Sequence, residues 1–62
     1  MTLQQIKNDK RVYEVERVYG EDFKYEVSLE DGYQFDDGSS VQVYDTVKEI
    51  AYDLTHNVEE VE

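Results

Sequence analysis

Cysteine, proline and tryptophan are absent from these 62 residues, glycine occurs three times and histidine once. Without cysteine there is no disulfide staple, no thiolate zinc site and no cysteine nucleophile. No apolar run approaches the roughly 18 residues of a membrane span. No basic segment leads into an apolar one, so no secretory signal is expected. The cytoplasm is the default compartment for such a chain, and a bacterial host cytoplasm if it is phage-encoded. Basic residues are scarce too. Six Lys plus Arg stand against 16 Asp plus Glu, for a formal net charge of −10 and a pI near 4.2. Direct nucleic-acid binding is disfavoured by that charge, since Lys7, Lys10 and Arg11 are too few for a binder's footprint.

The chain does have aromatics, six Tyr and two Phe, which are uncommon in disordered chains. A single small folded domain is expected, covering residues 1–62. At this size, burial of apolar surface and loss of chain entropy nearly cancel. Self-repulsion weakens a lone copy further. A homodimer or higher oligomer is therefore expected.

Residues 1–10 read as an N-terminal arm with a short helical turn, Leu3 and Ile6 on one side. Residues 11–44 read as an antiparallel sheet. In 11–19, Tyr13, Val15 and Tyr19 fall on one face, and Val12, Glu14, Glu16 and Val18 on the other. Gly20-Glu21-Asp22 reads as a turn, and residues 23–30 then alternate cleanly, with Phe23, Tyr25, Val27 and Leu29 inward and Lys24, Glu26, Ser28 and Glu30 outward. Asp31-Gly32 predicts a type I′ hairpin turn. Tyr33 and Phe35 follow as a third strand, then a second turn at Asp37-Gly38-Ser39. The fourth strand runs from Ser40 to Tyr44, with Val41 and Val43 on one face. A helix is predicted over 45–58: Thr46 and Glu49 form a capping box, and Val47, Ile50, Ala51, Leu54 and Val58 make one apolar stripe. His56 suits the last helical turn, and Asn57 is expected to end it in a left-handed conformation. Residues 59–62 read as an acidic tail. The fold class is α+β: a four-stranded antiparallel meander, β-β-β-β-α, packed by one C-terminal helix. Its open face is expected to be acidic, with Tyr interleaved.

Residues 1–20 are net +1 and residues 21–62 are net −11. Carboxylates on alternate residues of a strand repeat about every 6.7 Å, close to the phosphate spacing of a single nucleic-acid strand. The candidate partner-binding residues are Glu26, Glu30, Asp36 and Asp37, with Tyr44 and Tyr52 as aromatic contacts. Tyr13, Tyr25 and Tyr33 are expected in the core. Catalytic residues are not evident: Ser28, Ser39 and Ser40 have no paired base, and no Gly-rich phosphate loop occurs. Glu21 and Asp22 are the candidates for a loose Mg²⁺ site. Otherwise no metal or cofactor is expected.

In size, charge, lack of cysteine and sheet-plus-helix plan, the chain resembles the small acidic proteins that phages and mobile elements use against host defence, anti-CRISPR proteins among them. The strand order also resembles the PC4-like fold, a dimerising single-strand DNA-binding plan. The resemblance implies a non-enzymatic inhibitor whose acidic surface occupies a basic nucleic-acid-binding site, most concretely on a CRISPR nuclease. A second expectation is a PC4-like protein that nicks or relaxes supercoiled DNA through a carboxylate-bound metal. A third is a structural or regulatory subunit whose charge only confers solubility.

Overall fold

A computed structural model describes residues 1–18, 20 and 24–61. The elements in chain order are α1 (Leu3–Lys7), β1 (Val12–Val18), β2 (Lys24–Leu29), β3 (Tyr33–Phe35), β4 (Val41–Tyr44), α2 (Val47–His56) and β5 (Val58–Glu60). The fold is α+β, with antiparallel strands, a C-terminal helix and a short N-terminal helix. The expected turn at 20–22, and the places of Tyr19 and Phe23, fall wholly or partly outside the described residues.

The helical stripe packs as its spacing predicts as far as Leu54; α2 ends at His56 rather than at 58, so Val58 reaches the core from β5 instead. Ile50 and Leu54 are fully buried, with Val47, Ala51 and Val58 half-buried around them. They meet Val27 and Leu29 of β2, Ile6 of α1, Val12, Phe35 and Tyr44 in one core. Thr46 caps α2 by accepting the Glu49 N–H at 3.2 Å. The Glu49 carboxylate reaches back to the Asp45 N–H rather than to that of Thr46, so the box closes one residue early. At α1 a full box forms between Thr2 and Gln5. Asn57 ends α2 at φ −124°, not left-handed. Its N–H donates to the Asp53 carbonyl and its side-chain amide to Asp53 Oδ1, both at 2.7 Å. This geometry leads directly into an extended strand.

That strand is the main departure from the meander. Residues 58–60, expected as the helix end and the start of the tail, are β5, paired antiparallel with β3: Tyr33 faces Glu60, Gln34 faces Glu59 and Phe35 faces Val58. β3 has left the main sheet, whose order is β1-β2-β4. Because β2 and β3 lie in different sheets, no tight hairpin is needed between them. Accordingly Gly32 alone takes positive φ (94°), Asp31 does not, and the turn is not type I′. The next turn is a three-residue hairpin loop closed by Phe35 and Ser39, with Gly38 at φ 88°, the position such loops give to glycine.

β1 corrects a second expectation. Its register against β2 shifts between Val12 and Glu14. This bulge leaves one residue unpaired and re-phases the alternation. Val12 and Val15 therefore both turn inward, and Tyr13, expected in the core, is 67% exposed. Tyr25 and Tyr33 are half-buried against the core, as expected.

Candidate interaction surface

Cross-strand pairing decides which side chains share the open face of the β1-β2-β4 sheet. Glu14 pairs with Ser28, Glu16 with Glu26 and Val18 with Lys24. On the other side of β2, Glu26 pairs with Val43 and Ser28 with Val41. Paired residues project to the same face, so Glu14, Glu16 and Glu26 form an acidic lane beside an apolar lane of Val41 and Val43. Both valines are exposed, at 45% and 51%. The pairing thus interleaves valines with the acids here, and of the tyrosines Tyr13, at the bulge of β1, is exposed. Gln42 and Tyr44 point inward instead.

Glu16 directly opposite Glu26 opposes folding, because like charges across a strand pair are destabilising. The cation of this face, Lys24, is drawn to Asp45 at 3.4 Å. Arg17 lies in the Tyr25 row, on the inward side, with its guanidinium 5.7 Å from the Tyr25 ring centre. Alternate carboxylates along β1 repeat at about 6.7 Å, and adjacent strands lie about 4.8 Å apart.

Of the four acids singled out from the sequence, only Glu26 belongs to this lane. Glu30 lies just past β2, where its N–H donates to the Arg11 carbonyl. Asp36 and Asp37 are in the loop between β3 and β4. Asp37 is occupied in building that loop: Oδ1 accepts from the Ser39 N–H and hydroxyl, and Oδ2 from the Gln42 amide. The Ser39 bonds hold its carboxyl below the usual range. Glu14 and Glu16 were not singled out. Their signal was the polar face shared by Glu14, Glu16 and Val18, which becomes one surface with Glu26 once the pairing is known.

The two candidate tyrosines separate. Tyr44 is 8% exposed, and its hydroxyl donates to Asp53 Oδ2 at 2.6 Å. Burial, then the Asp53 carboxylate, push its phenol well above the ordinary value. It is a core residue that ties β4 to α2. Tyr52 is 61% exposed and packs at a tilt against the His56 ring one turn later, with ring centres 4.5 Å apart.

Within the basic cluster, Arg11 is occupied by the fold itself. Arg11 grips Asp9 with two nitrogens, Nε and one terminal nitrogen, at 3.0 and 2.9 Å. Its other terminal nitrogen donates to the Leu54 carbonyl at 2.6 Å, clamping the last turn of α2. Hydrogen bonding to Arg11 lowers the Asp9 carboxyl despite desolvation, and Asp9 raises the Arg11 guanidinium in turn. Beside this clamp is an open groove of about 460 Å³ lined by Asp9, Lys10, Arg11, Tyr33, Val58 and Glu60.

Among the described residues, no three His, Cys, Asp or Glu are placed to hold a metal ion. Glu21 and Asp22 lie outside those residues. No described helix is long and apolar enough to cross a membrane. Comparison with known protein families, characterised proteins and solved structures finds no match for this chain.

Proposed function

We propose that the chain is a non-enzymatic binding module whose acidic sheet face occupies a basic nucleic-acid-binding surface on another protein. The observation that carries this reading is the Glu16–Glu26 pair, extended by Glu14 and flanked by exposed Val41 and Val43. A cross-strand carboxylate pair works against folding, so its use lies in something that supplies the missing positive charge. The 6.7 Å repeat suits a groove built for phosphates, and the valines add apolar contact once the charges have met.

A CRISPR nuclease is the first partner to test, as the resemblance in size and charge implies. Labelled DNA bound to a guide-loaded nuclease is titrated with this protein at low and high salt. The expected result is displacement at low salt that weakens by about tenfold or more as salt screens the contact. Reversing Glu16 and Glu26 to Lys abolishes it. Undiminished displacement by the reversed variant, shown to be folded, overturns the acidic-face reading. No displacement by the natural chain excludes this class of partner.

A further inference from the structure

We propose that the chain self-associates through the free edge of β4, pairing antiparallel with β4 of a second copy about a two-fold axis at Gln42. The Leu29 N–H donates to the Ser40 carbonyl at 2.9 Å. The register of β2 on β4 continues from there without a shift. Hydrogen-bonded pairs alternate along an antiparallel ladder, so Gln42 and Tyr44 bond to β2, while the N–H and C=O groups of Val41 and Val43 point away from it. Neither residue has a backbone or side-chain partner for those groups among the described residues. In a simple meander β3 would fill this edge. It bonds at the loop, Phe35 N–H to Ser39 C=O at 2.8 Å, and then turns away to pair with β5.

Other edges carry the devices that discourage pairing: bulges, charges or cover. β1 has its bulge at Val12–Glu14 and bears Glu14, Glu16 and Arg17. β5 bears Glu59 and Glu60. β3 is uncharged, but β5 takes one of its sides, and the Glu30 and Ser39 carbonyls take N–H groups on the other. β4 reads Val-Gln-Val-Tyr, with no charge, no proline and no bulge.

A second copy fits this edge better than an acidic face fits itself. With the axis at Gln42, the Val41 N–H and C=O meet the C=O and N–H of Val43 in the other copy, and the reverse holds by symmetry. Every such bond stays inside the strand. The exposed valines of both copies then form one apolar strip on the open face. The nearest acidic lanes, at Glu26 of each copy, lie three strand spacings apart, about 14 Å. That exceeds the Debye length of about 8 Å at physiological salt. Self-association therefore does not weaken with salt, whereas capture of a basic partner does, so the two proposals fail separately.

The test is sedimentation equilibrium with amide hydrogen exchange, on the natural chain from micromolar to millimolar concentration. The expected mass doubles from 7.4 kDa, and the Val41 and Val43 amides become protected as it does. Val43→Pro removes an edge N–H that β2 does not use; it stays monomeric with an unchanged circular dichroism spectrum. A constant 7.4 kDa, or a dimer whose Val41 and Val43 amides still exchange freely, overturns the proposal. If the proline variant does not fold, exchange in the natural chain decides alone. Capture of a foreign strand, seen as protection only with another protein present, also counts against it.

Discussion

On the inner face of the β1-β2-β4 sheet, Val27 and Leu29 meet Ile50 and Leu54, and no buried side-chain polar atom among the described residues lacks a partner. On the outer face of the same strands, Glu16 stands against Glu26 and two valines lie open. One face follows the rules of a small stable core, and the other departs from them in a single direction. Substitutions on the inner face should therefore cost stability. On the outer face they should cost binding and leave the fold intact or improve it.

The largest effect is expected from Leu54→Ala. Truncating a fully buried leucine costs about 2–5 kcal/mol, enough to unfold a chain of this size in urea titrations followed by circular dichroism. Arg11→Met comes next, since it leaves the Asp9 carboxylate only the backbone N–H of residue 11 and frees the Leu54 carbonyl; a loss of about 1–3 kcal/mol is expected in the same assay. The pair also predicts a pH response. The folded Asp9 carboxyl lies below its ordinary 3.8, so its contribution is complete above that value and fades as pH falls through the folded one. Asp9→Asn should flatten this acid limb of the melting profile. Tyr44→Phe removes one hydrogen bond to Asp53, which keeps Asn57, and should cost about 0.5–1.5 kcal/mol. The smallest effect has the opposite sign. Glu16→Gln or Glu26→Gln relieves the like-charge pair and should raise stability by about 0.2–1 kcal/mol, less at high salt. A melting temperature that falls instead would break the contrast between the faces.

Local patterns were legible in the sequence where one period ran uninterrupted. The stripe from Val47 to Leu54 and the alternation from Lys24 to Leu29 emerge in the structure as read. The bulge in β1 was not legible, because both phases of 12–18 carry apolar residues, and only pairing with β2 selects Val12 and Val15. Nor was β5. Val58–Glu60 has the composition of a tail, and its partner β3 lies about 25 residues earlier, joined through the turn at Asn57 and a cross-strand bond from Gln34 to Glu59 at 3.2 Å. The candidate surface was half legible for the same reason. Glu26 stood out on a clean strand, while Glu14 and Glu16 joined it only through the register of β1. Asp37 and Tyr44 were drawn instead into the loop and the core.

The central claim is that the outer carboxylates serve a partner and not the fold. The most direct test is the affinity of Glu16→Gln/Glu26→Gln, against the natural chain, for a basic nucleic-acid-binding protein such as a CRISPR nuclease, at low salt and with folding verified. The account predicts that the variant melts no lower than the natural chain yet binds about tenfold or more weakly, as expected when two charge contacts are lost. Equal affinity in a folded variant would contradict it.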